Sequence, residues 1–269
     1  MLTEEERESV RAIEQAFRSV RERVMAGAGK VGHELKDDGT PVTAVDVAVE
    51  QILMRHLTEK TDIPIFGEET GYGDDLPEVY WLIDPIDGTK SYIANIPAFT
   101  SMAVLIKNHE AVASVIYNHS ADEMFVARKG EGAFKNGETL DLSKVELPVV
   151  AYCRERMVKE VNKLIDGSGV HCEGGPVGAG YGFSSVAEGR VAARFNFPYH
   201  PGGGYIHDFA PGALLVSEAG GVILSVEGSD YTYETRSFVA CHPVLADVVR
   251  PIIKQLRAAE VKTAEWPKK

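Results

Sequence analysis

The sequence has few cysteines, no long apolar run and a shortage of positive charge. Its 269 residues include only 3 Cys, at positions 153, 172 and 241, and none of them forms a C-x-x-C pair. A small, odd and widely spaced set excludes a disulfide framework and a zinc–thiolate site, and it is typical of a reducing compartment. No window reaches the roughly 18 apolar residues of a membrane span, and the charged N-terminus lacks an apolar signal core. We therefore expect a cytoplasmic protein.

The charge balance restricts the partners of the chain. Lys and Arg total 28 residues against 40 Asp and Glu, so the formal net charge is −12. Such a surface disfavours nucleic acid and anionic membranes as partners. An anionic ligand would then need a local positive charge, for which a bound cation is the simplest candidate. The apolar fraction of 44% excludes disorder.

Apolar periodicity predicts two helices followed by strands in the first half of the chain. A capping box at Thr3–Glu6 precedes helical spacing as far as Gly27, a polar loop is expected over 36–41, and a second helix is expected from Asp46 to about Lys60. Asn136-Gly137 is typical of a hairpin turn. The expected strands lie at 63–66, 80–83, 100–107, 111–117 and 123–128.

The second half mixes helices and strands around a glycine-rich region at 167–182. The length fits one large domain or two closely packed halves. We expect a front α+β half over residues 1–145 and a back α/β half over residues 146–269. The expected helices lie near 154–165, 208–219 and 244–259, and the expected strands at 191–197, 221–226 and 237–241.

Acidic residues stand where apolar runs end in the first half. Glu68 follows one run directly, Asp84 follows the next, and Asp87 comes three residues later. Pro85 restricts the backbone so that Asp84 and Asp87 can turn towards a common point. Carboxylates at strand ends, with the Ile86 carbonyl nearby, form a seat for a hard cation such as Mg²⁺. The pattern therefore predicts a metal site that is completed by the second half.

Two further motifs strengthen this interpretation. Gly88-Thr89 offers free backbone N–H groups at a helix start, where a phosphate can bind. Asp208 is expected to open a helix that ends at Glu218–Gly221. Each motif alone is more often a turn or a solvated loop, so the interpretation depends on their combination.

Together these motifs resemble the inositol monophosphatase superfamily of Mg²⁺-dependent, Li⁺-sensitive phosphatases. The resemblance covers most of the chain and implies a layered αβαβα sandwich of the sugar-phosphatase type, with the acids in the cleft between the halves. It also implies hydrolysis of a small phosphomonoester, two or three Mg²⁺ ions per active site, and a homodimer. The segments that carry it are Thr43–Asp46, Gly67–Glu69, Trp81–Thr89, Asp208 and Glu218–Gly221.

The resemblance implies a set of metal ligands. Glu68, Asp84 and the Ile86 carbonyl are expected to bind one ion. Asp84, Asp87 and Asp208 are expected to bind a second. Two cations so placed would align the attacking water with the leaving oxygen and neutralise charge on the transferring phosphoryl group.

The resemblance also implies catalytic and substrate-binding residues. Thr89 and Glu68 would orient the attacking water, and Asp46 would support Thr89. Lys36 resembles a residue near the phosphate, although a solvated lysine fits the sequence equally well. The expected substrate-binding residues are Lys36, Asp87, Gly88, Thr89, Ala179 and Asp208.

Three positions depart from the family pattern. His207 precedes Asp208 where the family usually has Trp, and Ser91 replaces a common Asn. Pro201 stands where the inositol enzymes have a Glu that contacts ring hydroxyls, and the loss of such a partner costs a ligand about 1–3 kcal/mol. This departure weakens the case for inositol. His200 and His207 flank this loop and are interpreted as structural or solvated side chains rather than ligand contacts.

Several functions therefore remain open. An inositol-1-phosphate phosphatase is the default, and histidinol phosphate is the closest alternative because 36–43 and 87–92 look similar to that branch. Fructose 1,6-bisphosphatase and 3'(2'),5'-bisphosphate nucleotidase follow. A regulatory binding protein that retains the fold is the non-enzymatic alternative, although a pure scaffold has no use for a costly cluster of like charges. Gly178, Gly180 and Gly182 do not complete a dinucleotide-binding fingerprint.

Overall fold

Two capping boxes start the first two long helices. The computed structural model describes residues 1–36, 40–71, 73, 75–175, 177–197 and 205–264. Thr3 and Glu6 exchange hydrogen bonds at the start of α1 (Glu4–Gly27), as predicted. A short strand pair, β1 (Glu34–Leu35) and β2 (Pro41–Val42), flanks part of the expected polar loop, of which 37–39 lie outside the described residues. Helix α2 (Ala44–Thr58) begins earlier than predicted because Thr43 and Asp46 form the second box.

A seven-stranded sheet follows α2. Its strands are β3 (Ile65–Gly67), β4 (Val79–Asp87), β5 (Thr100–Lys107), β6 (Glu110–Asn118), β7 (Glu123–Arg128), β8 (Gly132–Lys135) and β9 (Glu138–Leu140), and the short helix α3 (Thr89–Ile93) follows β4. The strands lie in chain order across the sheet. β3 and β4 are parallel and all other neighbours are antiparallel. The hairpin turn at Asn136-Gly137 is confirmed, and both residues have positive φ.

Strand β4 corrects one expectation that concerns the site. The apolar run was expected to end at Ile83, because a proline inside a central strand is unusual. The strand instead continues to Asp87, and its register against β5 shifts between Asp84 and Asp87. One extra residue on β4 forms a bulge, which bends the strand and re-aims its side chains. The bulge thus keeps both carboxylates in one element while interrupting the regular alternation.

The second half contains a five-stranded mixed sheet and five helices. Its strands are β10 (Val150–Cys153), β11 (His171–Gly174), β12 (Ala193–Asn196), β13 (Val222–Ser225) and β14 (Phe238–Cys241); its helices are α4 (Val158–Leu164), α5 (Ala179–Ala187), α6 (Ile206–Glu218), α7 (Pro243–Val249) and α8 (Ile253–Ala264). The order is β11-β10-β12-β14-β13. β10 is parallel to both its neighbours, and β14 is antiparallel to both of its own.

The glycine-rich region at 167–182 contains β11 and the start of α5. Two expectations for this half were wrong. The last helix is two helices, because Pro251 lies in a 3₁₀ turn between them and lacks the N–H that a continuous helix needs. Asp208 is the third residue of α6 rather than its first.

The elements stack as five layers. Helices α1 and α2 cover one face of the seven-stranded sheet and share a core with it. Helices α5 and α6 lie between the two sheets, where Phe183 and Phe238 stack in a second core. Helices α4, α7 and α8 cover the outer face of the five-stranded sheet. The expected αβαβα sandwich is confirmed, while the division at residue 145 stays a prediction.

The described residues agree with two exclusions drawn from the sequence, that of a membrane span and that of a disulfide framework. No helix among them is long and apolar enough to cross a bilayer. Cys153, Cys172 and Cys241 are buried and none is in a disulfide.

His119 is buried in surroundings that favour its neutral ring. Its Nε2 lies 2.8 Å from the Ser101 hydroxyl, which itself donates to the Pro85 carbonyl at 2.6 Å, so the ring N–H is the donor. Burial and the nearby Arg21 lower the pKa of His119 to about 3. An unfolded histidine takes up its proton near pH 6.5. The folded chain therefore loses stability as the pH falls from 6.5 towards 3.

We expect His119→Gln to flatten this acid dependence. Between pH 7 and pH 5 the free energy of unfolding of the wild type should fall by about 2 kcal/mol more than that of the variant. Denaturant unfolding at the two pH values measures the difference. His171→Gln, at an exposed position, should follow the wild type. Equal pH slopes for the wild type and His119→Gln would contradict the assignment.

Candidate active site

The loop that carries Glu68 is tied to helix α2. The Glu68 N–H donates to the Ile83 carbonyl at 3.0 Å, which continues the β3–β4 pairing. The buried Glu50 carboxylate on α2 accepts from the N–H groups of Glu69 and Thr70, each at 2.8 Å. This carboxylate passes so close to Gly67 that a Cβ there would lie 2.2 Å from Glu50 Cδ. Gly67 is thus the residue that allows Glu50 to hold the loop.

Asp84 is a deeply buried acid of the site. Its side chain is 2% exposed, and Oδ1 has no hydrogen-bond partner among the described residues. Burial, followed by the like charges of the other three predicted acids, raises the pKa of Asp84 well above its usual range. Those acids are Glu68, Asp87 and Asp208. A buried oxygen without a partner in such a field is placed to receive a cation.

Asp87 is held by the start of α5. The N–H groups of Ala179 and Gly180 donate to its two oxygens at 2.8 Å each, and the Thr100 hydroxyl donates at 3.0 Å. Burial raises the pKa of Asp87 to about 6 against the effect of these donors. A Cβ at Gly178 would lie 2.5 Å from Asp87 Oδ2. Ala179, predicted as a substrate contact, therefore contacts Asp87 through its backbone.

Thr89 begins α3 directly after a left-handed glycine. Gly88 has a φ of +82°, and Ala98 O would lie 2.9 Å from a Cβ there. The Thr89 hydroxyl lies 3.5 Å from Asp46 Oδ1 and 3.3 Å from the Ile86 carbonyl. Asp46 is buried, and its other oxygen accepts from Thr43. The predicted Asp46–Thr89 contact is thus present at the limit of hydrogen-bond distance.

The first turn of α6 brings Asp208 and His207 to the acids. Asp208 Oδ2 accepts from the Tyr205 N–H at 2.7 Å. Burial raises the pKa of Asp208, and His207 opposes that rise. His207 is 2% exposed, and its Nε2 lies 3.8 Å from both Glu68 Oε2 and Asp208 Oδ1. His207 is therefore not a solvated side chain. His200 and Pro201 lie outside the described residues.

Lys36 forms ion pairs with two of the acids in this region. Its Nζ lies 2.7 Å from Glu68 Oε1 and 2.9 Å from Glu69 Oε1. Although burial opposes it, the charges of these two glutamates raise the pKa of Lys36. Burial raises the pKa of Glu69 to about 7. Lys36 is thus one side of a partly buried ion-pair cluster rather than a solvated lysine.

The acids do not form a closed metal cage. No group of three or more His, Cys, Asp or Glu side chains in the described ranges is placed to hold a metal ion as it stands. Glu68 is instead bound by Lys36, and Asp208 by Tyr205. The donor set still fits a hard divalent cation, because it consists of carboxylates and includes the unpartnered Asp84 Oδ1.

Sequence analysis missed two residues that position the acids. Arg194 Nη1 donates to the Gly178 carbonyl at 3.3 Å, and the guanidinium helps to stabilise the charged form of Asp87. A polar residue between apolar neighbours on a strand is typical of a solvent-facing position, so nothing local indicated Arg194. Glu50 stands four residues after Asp46 on α2 and hence on the same helix face, a signal that was available.

Comparison with known proteins identifies the class of protein that this fold and these acids define. The family model for the inositol monophosphatase family matches residues 2–263. The chain belongs to this family, whose members are phosphatases.

The similar curated proteins cover most of the chain. An inositol monophosphatase from Dictyostelium discoideum is 32% identical and covers 79% of this chain and 82% of its own. The Nus factor SuhB of Escherichia coli strain K12 is 32% identical, over 80% of this chain and 82% of its own. The 3'(2'),5'-bisphosphate nucleotidase CysQ of Escherichia coli O157:H7 is 29% identical, over 79% and 87%.

Solved structures share the fold. An IMPase from Thermotoga maritima has a TM-score of 0.78 at 23% identity and covers 93% of this chain and 97% of its own. An IMPase/NADP phosphatase solved with Mg²⁺ and phosphate has a TM-score of 0.74 at 17% identity, over 88% and 91%. At these identities the likeness shows the fold alone.

Proposed function

We propose that this chain hydrolyses a small phosphomonoester with Mg²⁺, and that inositol 1-phosphate represents the substrate class. The observation that carries the proposal is the buried, unpartnered oxygen of Asp84 in a field of three further acids. Without a cation these like charges destabilise the fold, which makes a purely structural role a costly one. The Mg²⁺ and phosphate bound to a protein of the same fold support this choice of ligands.

The proposed ions are held by the ligands that the sequence predicted. The proposed number of ions is two or three per active site. Glu68, Asp84 and the Ile86 carbonyl would hold one ion, and Asp84, Asp87 and Asp208 a second. Bound there, the ions would activate a water and neutralise phosphoryl charge. Lys36 would have to leave Glu68 so that this carboxylate can bind the ion. The Lys36 ammonium would then lie beside the incoming phosphate.

The other residues of the site act on the water and on the phosphate. The Gly88 and Thr89 N–H groups stand at the start of α3, where they are free to donate to phosphate oxygens. Glu68 and the Thr89 hydroxyl would orient the attacking water. Asp46 would accept a hydrogen bond from the Thr89 hydroxyl and so direct a lone pair of that hydroxyl towards the water. The 3.5 Å distance between Thr89 Oγ1 and Asp46 Oδ1 supports this role. Acting together, these groups make direct attack by water possible without a covalent intermediate.

The names of the relatives favour inositol phosphates and leave alternatives. The Dictyostelium protein is named as an inositol monophosphatase, and CysQ as a bisphosphate nucleotidase. Histidinol phosphate and fructose 1,6-bisphosphate complete the candidate substrates. One relative is named a Nus factor, which keeps a regulatory binding protein as the non-enzymatic alternative. Sensitivity to Li⁺, a homodimer and a cytoplasmic location are part of the proposal.

The proposal is tested by phosphate release from four substrates. These are inositol 1-phosphate, histidinol phosphate, fructose 1,6-bisphosphate and 3'-phosphoadenosine 5'-phosphate. We expect release with Mg²⁺, none with EDTA, and the highest kcat/KM for inositol 1-phosphate. A higher kcat/KM for another member would reassign the substrate. Release from none of the four with Mg²⁺ would favour the binding protein.

A further inference from the structure

The bulge of β4 lies opposite one buried serine of β5. From Asp84 to Asp87 the strand β4 advances three positions, while its partner β5 advances only two, so Ser101 stands opposite the bulge. A bulge disrupts the regular ladder, and its backbone groups then need other partners. The Ser101 hydroxyl supplies one, because it donates to the Pro85 carbonyl at 2.6 Å.

A buried imidazole holds this hydroxyl in turn. His119 follows β6 directly and is 0% exposed, and its Nε2 lies 2.8 Å from Ser101 Oγ. Because the hydroxyl gives its own hydrogen to Pro85, the imidazole donates through Nε2–H. Two aromatic rings limit rotation of the imidazole: it stacks on Phe99 with centroids 6.4 Å apart, and it meets Tyr117 edge-on at 4.9 Å. The Nε2–H group is thus kept on the serine.

The bonded carbonyl lies in the middle of segment 84–87, which carries three of the proposed metal ligands. Successive side chains of a strand point to opposite faces, so β5 holds this segment from both sides. On one side the Thr100 hydroxyl donates to Asp87 at 3.0 Å. On the other side Ser101 donates to the Pro85 carbonyl. The two neighbouring hydroxyls thus fix both a ligand side chain and the backbone that carries the ligands.

The pair of Ser101 and His119 is a costly way to fill a core. His119 Nδ1 is buried and has no hydrogen-bond partner among the residues that the structure describes. An unpaired buried acceptor lowers stability, whereas apolar side chains of similar shape at both positions would avoid that loss. A role beyond packing would account for the polar pair.

We propose that Ser101 and His119 are positioning residues that fix the peptide between Pro85 and Ile86 and so hold segment 84–87 in the conformation that binds Mg²⁺. This inference rests on the proposed function for the presence of the ion. It adds two residues that contact neither the ion nor the phosphate and that act through the backbone of the bulge. The competing interpretation is that the pair only stabilises the core.

Calorimetric titration of the full chain with Mg²⁺ distinguishes the two interpretations. Ser101→Ala and His119→Phe each remove one hydrogen bond of the series, and each should weaken Mg²⁺ binding about 10-fold, as loss of a partner that orients metal ligands does. The double variant should be at most about 3-fold weaker than either single variant, because both residues act through one carbonyl. His119→Gln keeps an N–H donor and should stay within about 3-fold of the wild type.

Ser114→Ala is the matched control. It also removes a buried hydroxyl from the seven-stranded sheet, but Ser114 Oγ has no hydrogen-bond partner within the described part of the chain. Its Mg²⁺ affinity should equal that of the wild type. A loss as large as that of Ser101→Ala would overturn the positioning role, since any buried hydroxyl would then have the same effect.

Nuclear magnetic resonance of the ¹⁵N-labelled wild type depends on no variant. The His119 Nε2–H signal should shift as Mg²⁺ binds, because the ion and the imidazole act on the same segment of backbone. His242 is the internal reference: its buried Nε2 lies 2.9 Å from the Val145 carbonyl, and its signal should not shift. A His119 signal that stays unchanged at saturating Mg²⁺ would overturn the positioning role.

Denaturant unfolding in EDTA measures the stability of each variant separately from its Mg²⁺ affinity. A purely structural pair predicts lower stability with unchanged affinity in the folded protein. Mg²⁺ affinities of Ser101→Ala and His119→Phe within about 3-fold of the wild type would therefore overturn the positioning role and leave the phosphatase proposal intact. Failure of the wild type to bind Mg²⁺ would overturn both.

Discussion

Replacing Asp84 with asparagine should remove phosphatase activity and at the same time stabilise the metal-free protein. The carboxylate is a predicted ligand of both ions, so its loss should lower kcat by about 10³-fold or more, equivalent to several kcal/mol of transition-state stabilisation. The amide also removes a buried group that three neighbouring acids repel. We expect the free energy of unfolding to rise by about 1–2 kcal/mol in EDTA.

The two effects of Asp84→Asn have separate measurements. Phosphate release at saturating Mg²⁺ gives the first, and denaturant unfolding in EDTA gives the second. Because the folded chain raises the pKa of Asp84, the wild type should lose stability relative to the variant as the pH rises above about 4. Asp166→Asn, at an exposed loop position, should change neither quantity. Activity of Asp84→Asn within 10-fold of the wild type would refute the metal mechanism.

Thr89→Val should lower kcat by about 10²–10³-fold and leave KM almost unchanged, since loss of a group that orients a reacting proton has effects of this size. Valine keeps the volume and branching of threonine but removes the hydroxyl that lies between Asp46 and the Ile86 carbonyl. The N–H groups of Gly88 and Thr89, which would hold the phosphate, are unaffected. The expected pattern is therefore a loss in turnover rather than in binding.

Thr89→Ser is the matched control. Serine retains the hydroxyl and loses only a methyl group, so we expect its kcat to stay within about 10-fold of the wild type. Steady-state kinetics of both variants on the preferred substrate make the comparison. Equal losses in the two variants would show that the methyl group matters rather than the hydroxyl, and would remove Thr89 from the water-orienting role.

Much of the fold could be predicted from local pattern. The capping box at Thr3, strand β5 and the Asn136-Gly137 turn follow from residues within a few positions of one another, where side chains satisfy nearby backbone groups or alternate across one strand. The course of β4 past Pro85 could not be predicted in this way. Its pairing depends on β5, and the bulge that admits the proline is a property of both strands.

The glycines of 167–182 show why the rest of the site could not be predicted. The spacing of Gly178, Gly180 and Gly182 matched only an incomplete dinucleotide-binding fingerprint, yet Gly178 and Gly180 begin α5 and allow it to approach Asp87 and Thr100. The requirement for glycine comes from residues that lie far away in the chain, such as Asp87 and Ala98 for Gly178 and Thr100 for Gly180. A single sequence does not show which residues that are so far apart in the chain come into contact.

The sequence by itself determined which residues are candidates for the chemistry, since acids that end strands and a glycine that precedes a helix are identifiable from neighbouring residues. Only the tertiary structure decided how these residues meet. It brought Lys36 onto Glu68 and buried His207 between Glu68 and Asp208, neither of which the sequence indicated. The physical reason is that the free energy of a buried charge depends on every charge and dipole near it in space, and most of those belong to distant segments.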